Sequence, residues 1–487
     1  MTDNIYVPSE FAGRGDASLL FEEHGTQIRR ELITHLIGTA PSLRQIPLED
    51  RIRYIDEARQ RALLTYVQDA SIPYGERMQT DLYAALMDAI TPEKIMQALN
   101  FSAKNAGISS ASSLFAAGSN LAYPSLEMSV DSRNADTLTE WTLRLAAGVP
   151  VLVKGGPMSI AFARELGKTP LGDSVAVLDW NSGKPTDEFY GLLPDDAEVI
   201  MSGGITGIAA VKQQLNPKIN LIRERNHRRS IGLITSDTDY DALARAIGFI
   251  DGFGCLTPSI LFAENPLEAK EKLYSALVRF SQTYGGFCIP DKVKARIGKE
   301  LMSHSTEVNF SIKSDVGAIV AYTGADMAAF EQGYRTATIY QMPTAAEGWR
   351  NAFAQLNGNL EAHAIRGLGG GGCGGGARDA TVTKADEAEI KRYFSGGVPY
   401  NWTQTLVASN PSSELIASFV AAGGRRIVTP EYAVPNHCFP VDMEPPIPLK
   451  KQGDNIIWDN APAYFCTLND GQIIAVNGHM LPQPYQI

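Results

Sequence analysis

Few residues of this chain combine a reactive side chain with a telling setting. Cys255 stands in GFGCLTP, where Gly252, Gly254, Thr257 and Pro258 place its thiol in a tight turn before an apolar run. A cysteine attacks as the thiolate, so such a turn seats a nucleophile when N–H donors or a positive charge lower a free pKa of about 8.5. The plainer reading is a small core residue, the default for an isolated cysteine. Cys288, Cys373, Cys438 and Cys466 are scattered with no CxxC pair, so neither a zinc ribbon nor a disulfide framework is signalled and a reducing cytoplasm is expected.

Two further stretches suit anion binding. VLVKGGP ends an apolar run with Lys154, Gly155 and Gly156, which would put an ammonium and free amides at a strand's carboxyl end, where nucleotides bind in open α/β sheets. VIMSGGITGIAAVKQQL links strand to helix through Ser202, Gly203 and Gly204, and amides at such a helix start can hold a phosphate. Neither carries the GxGxxG fingerprint, and the bland alternative for both is a tight turn made by glycine. His227 in RERNHRRS reads as part of a solvated charged loop. Asp237, Asp239 and Asp241 in SDTDYD read as helix capping, because the glycine and distal glutamate of a calcium loop are missing. No metal is assigned.

The elements that must carry these residues follow from periodicity. From Ile46 to Leu99 the text is helical: Ile52, Ile55, Ala58, Ala62, Leu63 and Val67 recur at helical spacing, and TPEKIMQALN opens with a threonine cap and a proline. Between about 110 and 236, VPVLVKGG, SVAVLDW, AEVIMSGG and RRSIGLI alternate with helix-like stretches, the pattern of βαβ units around a parallel sheet. A second α/β lobe starts near Asp237. GLGGGGCGGGARD has glycine at eight of the ten positions from Gly367 to Gly376 and reads as a flexible loop. NIIWDN and QIIAVNGH suggest hairpins near the end. The expected division is a helical layer over 1–105, a cofactor lobe over 106–236, a catalytic lobe over 237–430, and an irregular segment over 431–487 that is a candidate for oligomerisation.

Composition narrows the partners. The chain has 487 residues, 44% hydrophobic and 20% charged, with a formal net charge of −11. Those values exclude disorder, collagen and coiled coil, and the negative balance disfavours nucleic acid and anionic membranes. No run of about 18 apolar residues offers a membrane span, and the first residues lack a secretory pattern.

Taken in order, AAGSN at 116 to 120, VPVLVKGG, SVAVLDWNSG, AEVIMSGGITGIAAVKQQL, HRRSIGLI and GFGCLTPSILFAE resemble the acyl-CoA reductase family typified by the fatty-acyl reductase of luminous bacteria, a branch of the aldehyde dehydrogenase superfamily. GGRRIVTP is a weaker echo. The resemblance implies an α/β, aldehyde-dehydrogenase-like fold with two Rossmann-like parallel-sheet lobes and an N-terminal helical layer. It implies reduction of an acyl thioester to an aldehyde through an acyl-cysteine on Cys255, with the Asn120 amide and the Cys255 N–H holding the oxyanion. Lys154 and Gly155, with Ser202, Gly203 and Gly204, would bind NADPH, with NADH as the alternative. The implied partners are an acyl thioester, an acyl-transferring enzyme or carrier protein, and further copies of the chain. Relatives that oxidise aldehydes carry a glutamate base before the HRRSIGLI-like strand. The matching position here is Arg225 or Glu224, so NAD(P)-dependent aldehyde oxidation is the rival, beside a non-catalytic subunit of the same fold.

Overall fold

In the computed structural model, the described residues are 5–12, 16–68, 75–116, 119–130, 138–180, 184–203, 205–226, 229–249, 257–285, 294–295, 297–299, 302, 307–324, 334–365, 403–408, 411, 415, 419, 426–428, 430, 447–458, 465–467 and 473–475. By contact density the chain divides into two units, 1–72 with 83–226 and 444–463, and 73–82 with 227–443 and 464–487. The helices are α1 (Ser9–Ala12), α2 (Thr26–Gln45), α3 (Leu48–Thr65), α4 (Glu76–Ala89), α5 (Pro92–Asn105), α6 (Ala111–Leu114), α7 (Leu138–Ala147), α8 (Pro157–Leu166), α9 (Phe189–Leu192), α10 (Ile205–Gln214), α11 (Tyr240–Gly248), α12 (Pro266–Tyr284) and α13 (Ala346–Ile365). The strands run from β1 (Ile5–Tyr6), β2 (Leu121–Ala122), β3 (Glu127–Val130), β4 (Val151–Lys154), β5 (Val175–Leu178), β6 (Glu198–Gly203) and β7 (Leu221–Asn226) through β8 (Arg229–Ile234), β9 (Pro258–Ala263), β10 (Val308–Lys313), β11 (Gly317–Tyr322) and β12 (Thr336–Gln341). They continue as β13 (Thr403–Val407), β14 (Arg426–Val428), β15 (Leu449–Gln452), β16 (Asn455–Trp458), β17 (Phe465–Thr467) and β18 (Ile473–Ala475).

The first unit is built on a six-stranded sheet in the order β1-β5-β4-β3-β6-β7, parallel except for β1. Strands β3, β4 and β5 are buried at every position. In β4 and β5 this follows from apolar runs that helices cover on both faces, whereas β3 buries Glu127 and Ser129 as well. On one face α2 sets Ile28, Leu32 and Leu36 into the core with Met128, Leu152 and Leu178. Each such fully buried side chain contributes roughly 1.5–3 kcal/mol. Elsewhere α3 packs on α7 and α8. It buries Ile52, Ile55, Ala58 and Ala62 as the spacing predicts, whereas Leu63, in the last turn of the helix, and Val67, beyond its end at Thr65, are 42% and 77% exposed. The threonine–proline start is present in α5, with Thr91 at the N-cap and Pro92 in the first turn, but the Thr91 side chain makes no capping bond. A small sheet, β15-β16-β2, joins the hairpin 449–458 to the strand after Asn120.

The second unit holds a seven-stranded sheet, β10-β11-β12-β9-β8-β13-β14, parallel except for β10. Its core includes Ile231, Phe262, Tyr340, Trp349 and Phe353. Strand β8, which the sequence groups with the first lobe, pairs here between β9 and β13. Asp239 caps α11, accepting from the Asp241 and Ala242 amides, the role expected of SDTDYD. The two late hairpins pair separately, β15 with β16 and β17 with β18. Among the described residues no helix is long and apolar enough to cross a membrane. The glycine tract 367–376 lies outside them.

Candidate functional site

In the first sheet the chain steps outward from β3 to β4 and β5, then returns to the other side of β3 with β6 and β7. The order therefore reverses between β3 and β6, and the crevice outside the carboxyl ends at such a point is where open parallel sheets bind ligands. Lys154 ends β4 and Gly155 follows it, while Ser202 and Gly203 end β6 directly ahead of α10. Lys154 pairs in register with Val130, and Val130 with Met201. One strand thus separates the two stretches, an offset of about 10 Å at ordinary strand spacing. Gly204 lies outside the described residues.

Lys154 is only 8% exposed. Its Nζ lies 3.4 Å from Tyr190 Oη, 4.0 Å from Asp187 Oδ1 and 5.0 Å from the Trp180 ring centroid. Trp180 Nε1 donates to the same Asp187 oxygen at 2.8 Å. Burial, reinforced by the Asp187 charge, pushes the Tyr190 phenol far above its ordinary range, so it stays neutral. Glu188, next along, accepts from Arg29 Nη2 at 2.6 Å and from Thr26 Oγ1 at 2.9 Å, tying this segment to α2. The sequence singles out only Lys154. Its company comes from DWNSGKPTDEFY after β5, where acidic and aromatic residues stand together at both ends of the stretch and were the available signal.

Gly155 serves the packing. Its N–H donates to the Leu178 carbonyl at 3.0 Å, and an added Cβ would stand 3.1 Å from Ser159 Cβ, Val153 Cγ1 and Val177 Cγ1. On segments bordering Lys154, Ser159 Oγ and Thr186 Oγ1 are buried with no hydrogen-bond partner among the described residues. An ammonium, two orphaned hydroxyls and a Ser-Gly strand end before a ten-residue helix form a donor set that fits the ribose and diphosphate of a dinucleotide.

Asn120 is exposed and immediately precedes β2, and its carbonyl accepts from the Ile456 N–H at 3.2 Å. Cys255 and His227 lie outside the described residues. Thr257 and Pro258, just after the cysteine, are buried at the start of β9. Glu224 and Arg225 pair in register with Met201 and Ser202. Among the described residues no group of three or more His, Cys, Asp or Glu side chains is placed to hold a metal.

No protein-family model matches the chain, and no curated protein matches its sequence. Solved structures do. Aldehyde dehydrogenase 21 of Physcomitrella patens, in complex with the reaction product succinate, superposes with a TM-score of 0.51 at 11% identity, over 82% of this chain and 81% of that one. The methylmalonate-semialdehyde dehydrogenase of Oceanimonas doudoroffii gives 0.51 at 10% identity, over 83% of each chain. The fold is that of the aldehyde dehydrogenases. At such identity the likeness is one of architecture, and it agrees with the α/β class, parallel-sheet lobes and helical layer that the sequence predicts.

Within this aldehyde dehydrogenase fold, the amino edge of the first sheet carries a charge cluster that the sequence reading missed. Glu127 and Glu198 are paired in register at the starts of β3 and β6, and Arg144 of α7 grips Glu198 with two bonds of 3.1 and 2.9 Å. Burial works against both carboxylates. Arg144, with help from Arg223, still holds Glu198 below the ordinary carboxylate range. Glu127, facing the Glu198 charge and, among the described residues, bonded by the Ser129 hydroxyl, is pushed up to about 8 by desolvation, and Arg144 offsets this in part. A glutamate at the first position of each of two buried strands was the legible clue.

Proposed function

We propose that this chain is an aldehyde-converting oxidoreductase that works with a nicotinamide dinucleotide and carries its substrate on Cys255. What supports the reading is one observation: in an aldehyde dehydrogenase fold, Lys154 and the Ser202–Gly203 strand end occupy the same carboxyl edge on either side of the chain reversal. Lys154 would hold the ribose, and the Ser202–Gly203–Gly204 turn the diphosphate. The bound dinucleotide supplies the hydride acceptor or donor. The Cys255 thiolate adds to the substrate carbonyl carbon, and the oxyanion that develops accepts hydrogen bonds from the Asn120 amide and the Cys255 N–H. Oxidation ends when water, deprotonated by Glu224, cleaves the acyl-cysteine to an acid.

A second reading, reduction of an acyl thioester to an aldehyde with NADPH, is favoured by the ordered motifs from AAGSN to GFGCLTPSILFAE. With Arg225 in the base position the acyl-cysteine resists water, as thioester chemistry needs. A carrier protein or acyl-transferring enzyme would then be a partner. Homo-oligomerisation and a cytoplasmic location belong to both readings.

Intact-mass spectrometry of the wild type and Cys255→Ala separates these readings. Oxidation predicts an acyl adduct on the wild type given aldehydes and NAD⁺, absent from the variant, and acid released without coenzyme A. An adduct formed from acyl-CoA alone and discharged as aldehyde by NADPH selects the thioester reading. Equal adducts on both proteins remove Cys255 as the nucleophile and defeat both.

A further inference from the structure

Two arginines from the N-terminal helices hold the segment bearing Asn120 by its two ends. Arg51 of α3 is 0% exposed, and its Nη2 donates to the Phe115 carbonyl at 2.9 Å. Arg44, in the last turn of α2, donates from Nη2 to the Pro124 carbonyl at 3.2 Å and from Nε to the Gly148 carbonyl at 3.1 Å. Its guanidinium carbon lies 4.2 Å from the Tyr123 ring centroid. Between these anchors the Asn120 carbonyl is fixed by the Ile456 N–H.

The arrangement is energetically expensive. Arg51 makes no ion pair among the described residues, and its Nε and Nη1 have no hydrogen-bond partner there. Burial, with the Arg44 charge adding to it, pulls its pKa down to about 10. Where only volume is needed, an apolar side chain is commonly neutral or better than a buried charge. A guanidinium does what leucine cannot: it fixes a backbone oxygen at a defined point. Here the points fixed are Phe115 and Pro124, on either side of Asn120, whose side chain is exposed and, unlike those of the exposed Ala116 and Ala122, carries an amide.

We propose that Arg44 and Arg51 are positioning residues for Asn120, acting through the carbonyls of Phe115 and Pro124 that they hold, without touching substrate. The proposal rests on the aldehyde-converting reading, in which Asn120 holds the oxyanion. A loop free to shift by about 1 Å would cost about a hundredfold in rate while leaving substrate affinity nearly intact.

The test uses the full chain with Arg44→Gln, Arg51→Lys and Asn120→Ala, alone and in pairs. Hydrogen exchange should quicken in peptides spanning 115–124 for either arginine variant, while NAD⁺ affinity by calorimetry holds. Turnover should fall by about ten- to a hundredfold with KM for aldehyde little changed. In the Asn120→Ala background the arginine substitution should add less than about twofold, since the group being positioned is already gone. Multiplicative losses, or exchange in 115–124 that matches the wild type, overturn the proposal. Should Arg51→Lys not fold, Arg44→Gln, at a half-buried position, carries the same cycle. Asn120→Ala as active as the wild type, or a wild type with no turnover, defeats the functional reading itself and the positioning role with it.

Discussion

Asp187 and Glu188 are consecutive carboxylates with opposite attachments. Asp187 accepts from Trp180 and lies 4.0 Å from the Lys154 ammonium, while Glu188 receives the Arg29 guanidinium from α2 at 2.6 Å. One dipeptide therefore links the helical layer to the charge that the proposed function assigns to the ribose.

A carboxylate beside Lys154 bears on cofactor choice. A 2′-phosphate placed there meets a lysine already shared with Asp187, so NAD⁺ should bind more tightly than NADP⁺. Asp187→Asn should shift the ratio of the two dissociation constants toward NADP⁺ by about tenfold, near 1.4 kcal/mol. Calorimetric titration of both nucleotides into both proteins reads it directly.

Removing Arg29 should destabilise more than neutralising Glu188. Arg29 is buried and also donates to the Leu20 and Glu22 carbonyls, so Arg29→Ala strands three acceptors and leaves a void, a loss of about 2–4 kcal/mol. Glu188 has a side chain 38% exposed, so solvent screening reduces Glu188→Gln to about 1 kcal/mol. Urea denaturation gives both differences.

Glu127 makes stability depend on pH in an unusual direction. The folded chain keeps this proton up to about 8, whereas the unfolded chain releases it near the ordinary 4.5. The folded state thus binds the extra proton between those values, and stability from this group is full below the lower one and is lost as pH rises through the higher. Glu127→Gln should leave stability flatter over that interval, with the largest gain over wild type on the alkaline side. A urea midpoint falling equally with pH in both proteins would count against this assignment.

Gly148 has a φ of 98°, and an added Cβ would overlap Arg51 Nη1. Gly148→Ala should cost about 2–4 kcal/mol through backbone strain and crowding together. Its thermal midpoint should drop accordingly, and exchange in 115–124 should quicken as the Arg51 anchor is displaced.

What the sequence discloses and what it hides follow from locality. Strands β4, β5 and β6 are legible because each is an apolar run closed by glycine, aspartate or a Ser-Gly turn, signals contained within ten residues. Helix α2 escapes because Gly38 and Pro41 interrupt its text, although Pro41 lies inside the helix. The two-residue strand β2 has no pattern of its own and exists only through Ile456 and Ile457. In the site, the strand ends carrying Lys154 and Ser202 announce themselves, whereas Asp187, Trp180 and Tyr190 acquire meaning only once folding returns them to Lys154. Arg44 and Arg51 look like ordinary helix-surface charges because the carbonyls they reach lie far along the chain.

The hairpin 449–458 completes a unit that begins at the amino terminus, and the Ile447 amide bonds Ser102 Oγ across 345 residues. On a translating ribosome, at about 5–20 residues per second, Ser102 emerges roughly twenty to seventy seconds before its partner. Throughout that interval β2, beside Asn120, lacks the strand that pairs with it in the finished fold, so the surroundings of the proposed oxyanion site are completed only near the end of synthesis.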